Sequence, residues 1–380
     1  MIRTRQIRAL VLCVLCACVL FLLLILLTAA AEEMTNDDQG LSVHFLDVGQ
    51  GDAALIVCGG ESMLIDGGTS SASQLIYSYL RAHVDALDVI IATHPHEDHI
   101  GGLAAALNAV PVGVIYSPVT EWDSPAFMAL QRYASAPIIV PTEGDQFTIG
   151  DALVTILHCW SDAWDENDMS IVCRVDYGQT SFLFTGDAEY MSEYMMLDTQ
   201  MSLEADVMLD SQMSLEADAM LESESADTML DSQEASILTS QMSLEADVLK
   251  VGHHGSRSSS TKEFIEAVSP EYAVISCGRD NVYGHPHEET LSALEGVTVL
   301  RTDELGTIVF RSDGEELTIE VSSGIGEISD AQYIGNRKSM KFHYAYCESV
   351  QDMSPGNRVP FKDRETAIAL GYAPCWRCKP

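Results

Sequence analysis

Positive charge is what this sequence has least of. Only 20 Lys and Arg stand against 57 Asp and Glu in 380 residues, a formal net charge of −37. A surface that acidic argues against broad electrostatic adhesion to nucleic acid or to an anionic membrane. The shortage is sharpest between Glu189 and Asp247, where fifteen acidic residues meet no Lys or Arg. Long apolar runs are also scarce. After one run over residues 9–27, no second stretch is long enough to cross a bilayer, which excludes a channel built from this chain alone. Histidine is missing from residues 161–168, an absence that bears on the metal chemistry below. Hydrophobic residues nevertheless make up 47%, enough for a large packed domain plus extras.

The single apolar run follows Arg3, Arg5 and Arg8 and ends in Thr28-Ala29-Ala30-Ala31. Residues 1–31 therefore read as a signal peptide or as an uncleaved N-terminal anchor, with the Arg end in the cytoplasm. Both readings make the protein extracytoplasmic, secreted or held on the outer face of the membrane. Membrane contact is expected only through this segment. Cys18 is a poor lipidation site, because cleavage there leaves a long apolar stretch behind. Cys58, Cys159, Cys173 and Cys277 lie in apolar surroundings and read as buried thiols, with a disulfide as the extracellular alternative.

The chemistry centres on Thr93-His94-Pro95-His96-Glu97-Asp98-His99-Ile100-Gly101-Gly102. Val89-Ile90-Ile91-Ala92 before it reads as a buried strand, and Ala-rich residues 103–107 after it as a helix. Three imidazoles and a carboxylate on a strand-to-helix loop suit zinc, manganese or iron. A bound cation also removes the repulsion among crowded protonated rings.

This loop resembles the metal signature of the metallo-β-lactamase superfamily. The resemblance implies a four-layer αββα sandwich and one or two divalent ions. His94 and His96 would serve the first, Asp98 and His99 the second. Leu46-Asp47-Val48-Gly49-Gln50-Gly51-Asp52 and Leu64-Ile65-Asp66-Gly67-Gly68 narrow it. In series with the His loop they resemble the extracytoplasmic hydrolase domain of the ComEC/Rec2 DNA-uptake (competence) proteins. By that resemblance Asp66 holds the His loop from behind, Asp187 after Gly186 bridges both ions, and His285 faces substrate. Asp66 also reads as a turn residue before two glycines, and His285 as a surface histidine. The same resemblance implies that Gly252-His253-His254-Gly255 supplies another ligand to the second ion. His253 is favoured, leaving His254 for substrate or an outer role, although the order reverses as easily. Ser256, Arg257 and Ser258 read either as a phosphate cradle or as a plain Ser-rich loop.

Many relatives with two metals carry a further His in the region of residues 161–168. Here Asn167-Asp168 stands instead. The first ion would have two imidazoles, Asp187 and an oxygen from Asn167 or Asp168, with Asp168 otherwise a supporting residue. Oxygen in place of nitrogen favours harder ions, so manganese rivals zinc.

The hydrolase domain is expected over residues 41–323. Within it, Met-Ser-Leu-Glu-Ala-Asp recurs at 201, 213 and 242, the first two copies twelve residues apart. Residues 193–247 read as an acidic repeat insertion, solvated and mobile despite helical propensity. The third copy flows into a strand, so the earlier ones read as duplications of a segment the fold already needs.

Residues 331–380 form a separate module. His343-x3-Cys347 with Cys375-x2-Cys378 is a structural zinc spacing, a Cys375–Cys378 disulfide being the alternative. A unit this small needs such a staple. It resembles the metal-binding domain of the Ada DNA-repair proteins. There a Cys stands where His343 stands and accepts a methyl group, so the repair reaction is ruled out here. From Gln332 onward eight Lys and Arg face four Asp and Glu, beside Tyr344, Tyr346 and Trp376. Cations beside aromatics suit nucleic acid.

The sequence thus reads as an exported metal-dependent hydrolase, a phosphodiesterase or nuclease acting on DNA. Asp98, His254 and His285 are the expected catalytic groups, and His94, His96, Asp98, His99, Asp187 and His253 the expected ligands. A lactone, ester or lactam hydrolase, or a non-catalytic nucleic-acid-binding surface protein with a degenerate metal site, are the alternatives.

Overall fold

A computed structural model describes residues 40–220, 242–321, 333–344, 347–351, 353, 357–361 and 364–379. The N-terminal segment 1–31, repeat residues 221–241, the linker 324–330 and Tyr346 lie outside the described residues. Among the described residues no helix is long and apolar enough to cross a membrane.

The first strands alternate little, because both of their faces are covered. β1 (Leu41–Phe45), β2 (Ala54–Cys58), β3 (Glu61–Ile65), β4 (Leu87–Ile91), β5 (Val112–Tyr116) and β6 (Ile138–Ile139) belong to one sheet. A second sheet holds β7 (Gln146–Ile149), β8 (Ala152–His158), β9 (Val172–Tyr177), β10 (Thr180–Phe184), β11 (Val248–Lys250), β12 (Tyr272–Ile275) and β13 (Thr298–Arg301). The chain then returns to the first sheet with β14 (Ile308–Ser312) and β15 (Leu317–Val321). The orders are β15-β14-β1-β2-β3-β4-β5-β6 and β13-β12-β11-β10-β9-β8-β7.

Val43, Phe45, Ile56, Met63 and Ile91 of the first sheet face Val154, Ile156, Val175, Phe182 and Phe184 of the second across one dry core. Phe45 stacks on Phe184 with ring centroids 5.6 Å apart. Helices Ser73–His83, Leu103–Ala109 and Pro125–Tyr133 cover the outer face of the first sheet through Ile76, Leu80, Leu103, Phe127 and Leu130. Helix Lys262–Val268 and the start of Tyr190–Met220 cover the other through Phe264, Ile265, Val268 and Met196. The result is the αββα sandwich expected, with helices outside and sheets within. His44, on the helix side of β1, is a satisfied core histidine. It meets Tyr79 Oη at 2.7 Å, and burial holds its pKa down near 3.

One segment differs from expectation. Repeat copies 201 and 213 lie in a continuous helix, Tyr190–Met220, where their charge suggested a mobile insertion and their propensity a helix. Its start is built into the domain. Asp168 Oδ1 accepts the amides of Glu189 and Ser192 at 3.0 and 3.3 Å, occupying donors that a helix start leaves free. Buried Glu193 accepts the amides of Ser260 and Thr261. Met, Leu, Ala and Glu carry the helix onward by propensity. The third copy packs as well: Leu244 and Ala246 are buried, and Asp247 accepts the Ser181 amide at 2.7 Å.

Behind the hydrolase domain, β16 (Tyr333–Asn336), β17 (Lys341–Tyr344), β18 (Arg358–Phe361) and β19 (Ala373–Pro374) form a sheet ordered β18-β16-β17-β19. Tyr333, Phe342, Phe361, Ala367 and Tyr372 make its core. Gly335 is required there, because a Cβ would stand 2.6 Å from the Phe361 ring. Leu370 packs into the hydrolase helices, and Gly371 lies against Ser78.

Candidate metal centre

Side chains converge beyond the carboxyl ends of five strands, the usual place for a site in an α/β sheet. Asp66 follows β3, the His loop β4, Asp187 β10, His253 and His254 β11, and Ser276 β12. The His loop is locked from behind. Asp66 Oδ1 accepts Thr93 N at 2.8 Å, and its Oδ2 accepts Thr93 Oγ1 at 2.7 Å and the His99 Nδ1 proton at 2.8 Å. Asp66 itself has φ 58°, a strained setting for a non-glycine residue.

Each imidazole therefore has an assigned direction. His99 spends Nδ1 on Asp66 and turns Nε2 to Asp187 Oδ2 at 3.2 Å. His254 donates Nδ1–H to the Ser276 carbonyl at 2.9 Å and turns Nε2 to Asp98 Oδ2 at 3.3 Å and Asp187 Oδ2 at 3.5 Å. His94 Nδ1 meets Thr93 Oγ1 and Ser170 Oγ, while its Nε2 faces His96 Nδ1 at 3.0 Å and Asp187 Oδ2 at 4.0 Å. Ser170 Oγ also accepts the Asp187 amide at 3.0 Å. His96 Nε2 is held by Glu166 at 3.1 Å.

His253 lies at the edge. Its Nε2 is 3.8 Å from Asp187 Oδ2, and its Nδ1 is held by Glu189 at 2.9 Å. Of the adjacent pair, it is His254 that is buried in the cluster. Both have positive φ, 46° and 54°, so the chain turns tightly enough to aim both rings inward.

The remaining expected residues spread around this centre. His285 stands over it, its ring 5.7 Å from that of His253 and 6.3 Å from that of His254. Burial and the neighbouring imidazoles lower its pKa to about 4. Ser256 and Ser258 bond to each other at 2.9 Å, and Ser258 donates to Glu189 at 2.7 Å. Arg257 is exposed and paired with Glu289 at 2.9 Å. Asp168 caps the helix described above, and Asn167 Nδ2 donates to Glu189 at 3.2 Å.

Three groups escaped the sequence reading. Asp52 is buried under the cluster, ion-paired to Lys250 and 3.2 Å from His254 Nδ1. Lys250 is only 4% exposed and also donates to the Gly186 carbonyl at 3.2 Å. Glu189 gathers His253, Ser258 and Asn167. A cation inside the apolar run Val248-Leu249-Lys250-Val251 was the available signal for the first two. Glu189 was hidden in the acidic block.

The electrostatics are those of an anion-rich pocket. Burial opposes every charge here, yet Asp187 and Asp52 outweigh it at His254 and push its pKa up to about 10. Asp187, Asp66 and their hydrogen bonds likewise raise His99 well above the usual range. His94 is pushed well below it by burial and by His99. Burial is overcome at Asp187 by His254 and His99, which hold its carboxyl well below the carboxylate range. Metal-free protein is therefore expected to be most stable near pH 6.5, because His44, His94 and His285, held neutral in the fold, lose stability as pH falls below that value. The His254 contribution is whole below 6.5 and lost as pH rises through about 10. The Asp187 contribution is whole above 3.8 and lost as pH falls through its lowered value. Thermal unfolding across pH reads both flanks.

The donor set fits a divalent cation. His99 Nε2, His254 Nε2 and Asp187 Oδ1 are buried without aligned hydrogen-bond partners. Ligand atoms of Asp52, His99, Asp187 and His254 lie within 4.8 Å of one another. Buried polar atoms left this way ordinarily answer to an ion or water. A second cluster, His343, Cys347, Cys375 and Cys378, meets the same distance limit in the C-terminal module. Its cysteines are free thiols rather than a Cys375–Cys378 disulfide.

Residues 46–279 match the Metallo-beta-lactamase superfamily. ComE operon protein 3 of Bacillus subtilis is 28% identical over 326 residues, 78% of this chain and 35% of that protein. Competence protein ComA of Neisseria gonorrhoeae is 29% identical over 273 residues, 70% and 31% of the two chains. Recombination protein 2 of Haemophilus influenzae is 28% identical over 257 residues, 66% and 26%. The chain spans about a third or less of the length of these relatives. The superfamily match covers more than half of the chain and contains every residue of the buried cluster, so the chain belongs to the metallo-beta-lactamase superfamily.

Proposed function

We propose that the chain is a metal-dependent phosphodiesterase acting on DNA outside the cytoplasm. The observation that carries the hydrolase reading is the buried convergence of inward-turned imidazole nitrogens on Asp187. His94, His96 and Asp187 would hold one ion. Asp98, His99, Asp187 and His254 would hold the second, with His254 preferred to His253 on burial. Asn167 Oδ1 is buried without a hydrogen-bond partner and would be the oxygen offered to the first ion, a donor that favours manganese. A bound divalent cation would supply Lewis acidity and lower the pKa of water. Asp98, joined to His254, would orient that water. His285 stands where it can meet the substrate, and Glu189 keeps His253 facing the same space.

DNA is favoured by the competence proteins among the relatives and by the C-terminal module. Asn336, Ser339, Lys341, His343, Trp376 and Arg377 line a cavity of about 370 Å³ there. Its lining has two cations and no carboxylate in a chain of net charge −37. Trp376 is 73% exposed and suits stacking on a base. Trp376→Ala is expected to weaken single-stranded DNA binding by about 1–3 kcal/mol, read by fluorescence anisotropy. The His343 cluster would hold a structural zinc. Cys375→Ser with Cys378→Ser is expected to remove one zinc equivalent by atomic absorption and to leave the hydrolase site loaded.

The deciding experiment strips the full chain of metal, then supplies manganese or zinc with labelled single- and double-stranded DNA. Cleavage that returns with metal, and fails in Asp98→Ala, supports the proposal. Metal uptake without cleavage of any DNA overturns it.

A second reading, an ester, lactone or lactam hydrolase, has its own observation. Beside His96 lies a cavity of about 690 Å³ lined by Glu121, Trp122, Asp123, Met128, Gln131 and Glu166. Such an acidic wall repels a phosphodiester, and turnover of neutral carbonyl substrates in place of DNA would favour this reading.

A further inference from the structure

We infer that Arg337, from the C-terminal module, is a positioning residue for the hydrolase metal centre. It acts through the loop of residues 46–53, which joins β1 to β2 and runs along the rim of the site.

The inner end of this loop lies on the metal cluster. Asp52 N donates to the Asp98 carbonyl at 3.1 Å, and the Asp52 carboxylate meets Lys250 and His254. Gly51 lies flat on the His loop: a Cβ there would stand 2.4 Å from the Asp98 carbonyl oxygen. The middle of the loop reaches the substrate side. Gln50 Oε1 accepts Gly278 N at 3.0 Å, and Gln50 Nε2 lies 3.4 Å from His285 Nδ1. One short segment thus contacts Asp98, His254 and His285.

Its outer end is Asp47, where the module takes hold. Asp47 N donates to Thr307 Oγ1 at 3.1 Å, and Oδ1 accepts Gly49 N at 3.3 Å. Oδ2 accepts Arg337 Nη1 at 2.6 Å. Arg337 follows β16, and its amide donates to the Asn357 carbonyl at 3.1 Å. The module has a separate seat on the hydrolase domain, through Leu370 and Gly371. Arg337 therefore reaches the loop from a fixed base. An ion pair with one partly exposed member contributes little to stability. What it adds is direction: without it, the bonds that hold Asp47 among the described residues are those to Thr307 and within the loop. Groups that orient ligands in this way govern metal affinity more than folding.

The inference rests on the metal-centre reading above and not on the choice of substrate. The test uses the full chain with Arg337→Ala, Arg337→Lys and Asp47→Asn. Amide hydrogen exchange is followed over residues 47–53, and manganese affinity by the electron paramagnetic resonance of free ion. Arg337→Ala and Asp47→Asn are expected to speed exchange in that loop and to weaken manganese roughly tenfold. Arg337→Lys is expected to restore most of both, with thermal stability and module zinc content unchanged throughout. Wild-type exchange and affinity in Arg337→Ala and Asp47→Asn would overturn the inference. Equal losses in Arg337→Lys and Arg337→Ala, with lowered thermal stability, would also overturn it in favour of a structural role. A wild-type chain that takes up no manganese or zinc in the site would overturn the metal-centre reading, while loop exchange still decides the role of Arg337.

Discussion

Asp187→Ala is expected to abolish hydrolysis and to release metal from the hydrolase site, leaving a folded protein. Asp187 Oδ2 faces four imidazoles, His99 at 3.2 Å, His254 at 3.5 Å, His253 at 3.8 Å and His94 at 4.0 Å. Among the described residues no other side chain meets all of them. Its removal leaves the two halves of the site, carried on different sheets, linked through Asp52 between His99 and His254 and through the Asp98–His254 contact. A loss on the order of 10³-fold or more in kcat/KM is expected, as for other groups that act as one unit. Metal content by atomic absorption should fall in parallel, while the His343 cluster keeps its own ion. A variant that retained metal and tenfold-reduced activity would show that Asp187 does not join the two halves.

Lys250→Met is expected to have the largest effect on stability. Lys250 is buried in β11 with Asp52, and the pair is too deeply buried for bulk water to screen its loss effectively. Removing one member of a buried ion pair costs about 3–5 kcal/mol, because the other charge is left without compensation. Asp52 is held below the usual carboxylate range against the cost of burial, chiefly by Lys250 and His254. Adding Asp52→Asn to Lys250→Met removes the stranded charge, so the double variant is expected to recover most of the loss. Urea denaturation of the two single variants and the double one measures this coupling. The Lys250 bond to the Gly186 carbonyl links the pair to Asp187, so metal affinity should fall in Lys250→Met even where the protein remains folded.

The parts of the site that were legible in the sequence are those set by local spacing. His94, His96, Asp98 and His99 occupy one turn between a strand and a helix, and their order predicts their proximity. Asp187 is legible as an Asp placed after glycine at a strand end. The choice between His253 and His254 is not legible. Both follow Gly252 in left-handed backbone, and which ring enters the cluster depends on how β11 lies against β12. Asp52 with Lys250, and Arg337 with Asp47, are distant in sequence and meet only through sheet order and module docking. The helix Tyr190–Met220 was misjudged because its charge was weighed as a block. Asp168 and Glu193, which tie its start to the fold, are single residues within an acidic background.

That helix gives the repeats a simple arithmetic. At 3.6 residues per turn and 1.5 Å per residue, a twelve-residue unit lengthens the rod by about 18 Å and turns the next unit by about 120°. Copies at 201 and 213 are thus related by a screw step and not stacked on one side. Three units would bring the register back to its starting direction. Gain or loss of a unit changes the length of the helix and the side on which its next residues face, without touching the end rooted beside Asp187. The repeat number is in that sense a length setting, free to drift or be selected independently of the chemistry at its base.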